Sequence, residues 1–168
     1  MTQDTQTLDL EAVQRYLTAH LPGFEGPIAA DKFQQGQSNP TFLLNTPDQR
    51  YVLRRKPPGQ LLKSAHAVDR EFRVQRALAG SEVPVAKVHL LCEDTSVIGS
   101  EFYIMDYVAG RNFNLPTLEE LPKPQRGAVL DDMSRVLAAL HDVDVDAVGL
   151  SDYGPPGNYY ARQISRWS

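Results

Sequence analysis

At 168 residues, 42% hydrophobic and 23% charged, the chain has the apolar content to bury the core of one domain and reads as soluble and globular. Its 17 Lys and Arg against 21 Asp and Glu give a net charge of -4, which leaves no positive excess for a nucleic-acid backbone or an anionic membrane surface. Cys92 alone excludes an internal disulfide and a cysteine-built zinc site; no run approaches the ~18 apolar residues of a membrane span, and the N-terminus M-T-Q-D-T-Q-T lacks signal-peptide character, so the expected compartment is the cytoplasm.

Residues 9–20 carry Leu10, Val13 and Leu17 on one helical face and stop at Leu21-Pro22-Gly23, which predicts an amphipathic leading helix. Residues 28–33, 41–46 and 50–55 are short β-rich runs separated by turn residues, Gln35 to Pro40 and Thr46 to Gln49, so three consecutive antiparallel strands are expected. After Lys56-Pro57-Pro58-Gly59, Val68, Phe72 and Leu78 or Ala79 recur at helical spacing, from an N-cap at Ser64 to a stop at Gly80. Further strands are expected over 83–91 and 101–108, either side of an Asp94-Thr95-Ser96 turn. Beyond Gly110, Leu130, Met133, Leu137 and Leu140 form an apolar stripe that ends at His141. Asn158 opens a last helical pattern with Tyr160, Ile164 and Trp167 on one face. A helix under about 12 residues is marginal without a packing partner, so a pattern that runs out at Ser168 reads as a cut, with the reading frame continuing.

In the turn Gln35-Gly36-Gln37-Ser38-Asn39, Gly36 lets the backbone approach an anion, and successive N–H groups with the Ser38 hydroxyl suit phosphate oxygens; an ordinary hairpin turn has the same composition. The third strand ends Tyr51-Val52-Leu53-Arg54-Arg55-Lys56. Side chains alternate along it, so Val52 and Arg54 share one face while Leu53 and Arg55 take the other. A small apolar residue followed two positions later by a cation can floor an adenine and hold a phosphate, against the competing reading of a solvated strand end. Glu71, beside Phe72 on the next helix, is placed to reach back and fix the Arg54 guanidinium, against the alternative of a surface carboxylate paired along its own helix. His20, His66 and His89 lack ligand spacing and read as core or surface histidines.

The run Tyr103-Ile104-Met105-Asp106-Tyr107-Val108-Ala109-Gly110 resembles the connector between the lobes of eukaryotic protein kinases, and the β-β-β-α-β-β order agrees with it. The resemblance implies Met105 as the gatekeeper beside adenine and backbone groups of Asp106 and Val108 as its hydrogen-bond partners. It also implies Arg54 in the place of the phosphate-binding lysine, with Glu71 as its helix partner. The single-glycine loop with Ser38-Asn39, the Leu53-Arg54-Arg55 strand end and the helix end Leu137-Ala138-Ala139-Leu140-His141 are similar to the aminoglycoside phosphotransferase and choline kinase group. Residues 54–59 and 65–71 more closely resemble its branch related to the kinase-like region fused to some acyl-CoA dehydrogenases. The likeness covers about residues 27–168.

The fold implied is α+β: a leading helix in 1–23, a protein-kinase-like N-terminal lobe over 24–108 with a five-stranded antiparallel sheet and one inserted helix, then a hinge and the start of a helical C-terminal lobe in 109–168. The activity implied is transfer of the ATP γ-phosphate to a hydroxyl of a small molecule, with Mg²⁺. In it Gly36, Gln37, Ser38 and Asn39 cover the phosphates, Arg54 and Glu71 position them, and Val52, Met105 and the backbone at 106–108 hold adenine. The superfamily's H-x-D-x-x-x-x-N segment for base and metal does not occur in this sequence, and His141-Asp142-Val143-Asp144 does not fit it. No catalytic residue is therefore assigned, and the chain alone is expected to be inactive. A pseudokinase-like nucleotide-sensing or partner-binding module and a nucleotide-free interaction domain are the alternatives. The expected partners are ATP, the hydroxyl acceptor and, through exposed C-terminal helices, further copies of the chain.

Overall fold

The computed structural model describes residues 8–34, 39–57, 59, 66–113, 115–154 and 157–167. The elements follow as α1 (Leu10–His20), β1 (Ala29–Lys32), β2 (Thr41–Asn45), β3 (Arg50–Arg55), α2 (Val68–Leu78), β4 (Val88–Cys92), β5 (Phe102–Asp106), α3 (Lys123–His141) and α4 (Tyr159–Trp167). The strands form one antiparallel sheet in the order β1-β2-β3-β5-β4. The α+β sheet with one inserted helix is the architecture that the sequence predicts.

Strand alternation sorts the apolar residues onto two faces. On one face Phe42, Leu44, Tyr51, Leu53, Phe102 and Ile104 meet Val13, Leu17, Leu21 and Phe24, from α1 and the turn after it. Full burial of side chains such as Leu17 and Leu53 contributes ~1.5–3 kcal/mol each. The Asp9 carboxylate caps α1 by accepting the Ala12 N–H at 2.9 Å. On the other face Val68 and Phe72 of α2 close on Tyr103, with Val88, Leu91 and Met105 around them. The lobe therefore has a helix on each side of the sheet, and only the α2 side carries the candidate chemistry.

The larger boundary differences from the sequence reading are at α2, β4 and β5. Helix α2 begins at Val68, preceded by Ala67 without a side-chain cap, and Ser64 lies outside the described residues. Its first turn is favoured instead by Asp69 and Glu71 at the positive end of the helix dipole. Strand β4 starts at Val88 instead of 83, because Pro84 has no N–H for a ladder. Strand β5 stops at Asp106 instead of 108, with the Tyr107 N–H still reaching Arg50 O at 3.3 Å as the chain leaves the sheet. The register shifts between Val88 and Leu90, so His89 is the extra residue of a bulge.

Neither α3 nor α4 buries a residue. Among the described residues, no helix is long and apolar enough to cross a membrane.

Candidate functional site

The site grows from the alternation of β3. Tyr51, Leu53 and Arg55 turn into the α1 side of the sheet, which leaves Val52 and Arg54 on the α2 side. Pairing of β2 with β3 sets Thr41 opposite Arg54, and pairing of β3 with β5 sets Tyr103 opposite it on the other flank. Burial of Val68 and Phe72 against Tyr103 fixes the rotation of α2 and brings Glu71 over the sheet. The Phe72 and Tyr103 rings meet edge-on, centroids 6.1 Å apart.

Arg54 and Glu71 consequently form a two-point ion pair. Nε donates to Glu71 Oε2 at 2.6 Å and Nη2 to Oε1 at 3.3 Å, while Nη1 donates to Thr41 Oγ1 at 3.0 Å. The carboxylate also accepts from Asn39 Nδ2 at 2.8 Å and from the Tyr103 hydroxyl at 3.2 Å. Tyr103 in turn accepts from Gln75 Nε2 at 3.0 Å. Burial first, and then the Glu71 charge, push the Tyr103 phenol up to about 12, so it remains a donor across the ordinary pH range. Lys56, of the same strand parity as Arg54, is drawn elsewhere: Nζ lies 2.5 Å from Glu101 and 3.8 Å from Asp69.

Beside this cluster opens a cleft of about 330 Å³. Val52, Met105, Asp106 and Val108, which the sequence reading assigned to adenine, all line it, together with Phe33, Thr41, Ala86 and Asn112. A mostly apolar wall with a few polar groups suits a flat heteroaromatic ring with a polar tail. The connector's side chains have partners of their own. The Asp106 carboxylate lies 2.6 Å from His89 Nε2, and the Tyr107 ring lies under the Arg50 guanidinium, 4.1 Å from it. The Asp106 N–H donates to Lys87 O at 2.8 Å, so a bond from this residue to a base falls to its carbonyl.

Gly36, Gln37 and Ser38 lie outside the described residues. Asn39 is described and buried, with its amide spent on Glu71 and His66. Among the described residues no group of three or more His, Cys, Asp or Glu could hold a metal ion. Asp144 instead accepts the Asp146 and Ala147 N–H groups at 3.0 and 3.1 Å, which makes the segment after His141 a turn at the end of α3.

The profile of the phosphotransferase enzyme family matches residues 30–168. The chain belongs to this phosphotransferase family. It is 50% identical to a protein of Ralstonia eutropha assigned to the aminoglycoside phosphotransferases, whose crystal structure superposes with a TM-score of 0.82 over 96% of this chain and 46% of that one. A thermostable aminoglycoside phosphotransferase mutant solved with AMP-PNP and hygromycin B shares the fold at a TM-score of 0.54 and 20% identity. Among curated proteins, the chain is 47% identical to the Arabidopsis thaliana acyl-CoA dehydrogenase-named protein IBR3 and 43% identical to acyl-CoA dehydrogenase family member 11 of Mus musculus. It spans 21% of the length of each of these two relatives.

Within this phosphotransferase-family lobe, the sequence reading anticipated the Arg54–Glu71 pairing and the residues at the cleft floor. It missed the polar collar of Thr41, Tyr103 and Gln75, and it left His66 and His89 as unassigned histidines. Thr41 was recoverable from strand register, since a hydroxyl opposite the key arginine follows once β2 and β3 are paired. The His66 and His89 contacts depend on a left-handed residue and a bulge, for which single-sequence patterns give no signal.

Proposed function

We propose that this chain supplies the nucleotide-binding part of a phosphotransferase that moves the γ-phosphate of ATP to a hydroxyl of a small molecule. The observation that carries the reading is an arginine locked by a helix carboxylate and bonded to Thr41, a residue that also lines the mostly apolar cleft bordered by the connector. Adenine would lie between Val52 and Met105 against the backbone of 106–108. Arg54 would contact the α- and β-phosphates, Glu71 would hold it, and Gly36, Gln37 and Ser38 would cover them. A cytoplasmic setting belongs to the same proposal.

Mg²⁺, when bound with ATP, would neutralise phosphate charge. The described residues offer no ligand set for it. The hydroxyl base is likewise not assigned to this sequence.

The names of the relatives favour one further reading. In those proteins the matched region is about a fifth of a chain named for dehydrogenation, so a nucleotide-sensing module attached to another enzyme is the alternative. Two measurements on the full-length protein separate the readings. A non-hydrolysable ATP analogue at 100 times its Kd should raise unfolding stability by about 2.7 kcal/mol. Transfer of labelled γ-phosphate to a panel of hydroxyl compounds should follow. Binding without transfer would support the sensing module, and neither would leave a nucleotide-free interaction domain.

A further inference from the structure

Asn39 reads from sequence as a phosphate contact, yet its side chain is 4% exposed and engaged at both ends. Nδ2 donates to Glu71 Oε1 at 2.8 Å, and Oδ1 lies 2.9 Å from His66 Nδ1. Because the Glu71 carboxylate only accepts, the amide must turn Nδ2 toward it; Oδ1 then faces His66, which must present Nδ1–H. His66 makes it from φ 63°, a left-handed backbone that a non-glycine residue adopts only where its surroundings hold it.

The Glu71 carboxylate has about four acceptor positions, and all are filled. Oε1 takes Asn39 Nδ2 and Arg54 Nη2, while Oε2 takes Arg54 Nε and the Tyr103 hydroxyl. Half of this coordination thus comes from groups other than Arg54, namely Tyr103 in the centre of the sheet and Asn39 at the entry to β2. An Arg–Glu pair alone lets helix and strand move together. Two further donors, one in β5 and one just before β2, tie the carboxylate, and with it α2, to one position.

We infer that Asn39 is a positioning residue. It holds Glu71 from the sheet side, Glu71 holds the Arg54 guanidinium, and Asn39 itself does not touch the phosphates. This rests on the proposed function above.

The test is a double-mutant cycle in the full-length protein, reading kcat/KM for ATP in wild type, Asn39→Ala, Glu71→Ala and the double variant. Asn39→Ala should lower kcat/KM roughly tenfold alone and less than about twofold when Glu71 is already alanine, because its partner is gone. Asn39→Asp keeps the shape if the alanine variant folds poorly. It sets a carboxylate against Glu71 and should lose more than tenfold, and Glu71→Gln should partly restore it by returning a donor to the pair. A loss undiminished in the Glu71→Ala background would mean direct phosphate contact and would overturn the inference. A lowered unfolding temperature with unchanged kcat/KM would overturn it too, as the mark of a purely structural amide. Full-length wild type that neither binds nor turns over ATP would remove the proposed function and this inference with it, whereas an active wild type with an additive cycle removes the inference alone.

Discussion

Arg54 and Lys56 lie on the same side of β3, and their partners divide them. Of the five guanidinium N–H donors of Arg54, two go to Glu71 and one to Thr41, and the other two have no partner among the described residues. Lys56 is a tie between the start of β5 and α2, through Glu101 and Asp69. On the proposed function, Arg54→Ala in the full-length protein should therefore cost about 1.5–3 kcal/mol, one to two decades in kcat/KM for ATP, and Lys56→Ala much less. The reverse ranking in steady-state assays would mean that the register is wrong by two residues. Tyr103 gives a second test. Its phenol is raised to about 12 by burial and then by Glu71, and Tyr16 reaches about 12 through burial as well. An unfolded tyrosine releases its proton near pH 10, so from there upward the unfolded chain binds fewer protons than the folded one. Stability from both phenols is complete below pH 10 and is lost as the pH rises toward 12. Denaturant titrations should show that slope, and Tyr103→Phe should flatten it. An unchanged slope in the variant would assign the effect to Tyr16 and to Tyr51, whose phenol burial also raises.

At the level of elements, the sequence displayed whatever a short window determines. Alternation in Tyr51-Val52-Leu53-Arg54-Arg55 set the two faces of β3, and the Val68, Phe72, Leu78 spacing set the buried side of α2, so the Arg54–Glu71 pairing could be anticipated. Contacts that need a register, a bulge or a helix placed across the sheet were not visible. Asn39 to Glu71 and Tyr103 to Glu71 each join residues 32 positions apart, and no local pattern marks either. The same division predicts where stability resides. Leu17 of α1 is fully buried against the sheet, so Leu17→Ala should destabilise by about 2–5 kcal/mol in denaturant unfolding. A change under 1 kcal/mol would show that α1 is an appendage and that the sheet face is covered by other means.

Over the whole molecule, the segment following α3 docks on the helix that carries Glu71. Arg73 pairs with the Asp152 carboxylate and donates to Gly149 O at 3.0 Å; Arg70 donates to Tyr153 O at 2.8 Å and stacks 3.9 Å over its ring. The Arg73 hydrogen bond holds the Asp152 carboxyl below the usual aspartate range, so the contact persists at neutral pH and is lost as the pH falls through that lowered value. NMR titration should show it, with Arg73→Ala returning Asp152 to its ordinary pKa. Outside this contact, α3 and α4 carry exposed apolar side chains. Leu130, Met133, Leu137 and Leu140 are 52%, 61%, 52% and 44% exposed on α3, and Ile164 and Trp167 are 67% and 83% exposed on α4. Scattered exposed leucines are ordinary, but these recur at spacings of three and four along one helix, which makes a continuous stripe. Residues 1–168 expressed alone should therefore self-associate in a concentration-dependent way in sedimentation velocity. Leu137→Glu with Trp167→Glu should weaken the association while changing unfolding by no more than about 0.5 kcal/mol per site, since neither side chain packs in the core. A compact monomer at high concentration would show that the stripe is tolerated in water, and association untouched by the two substitutions would move the contact to another face.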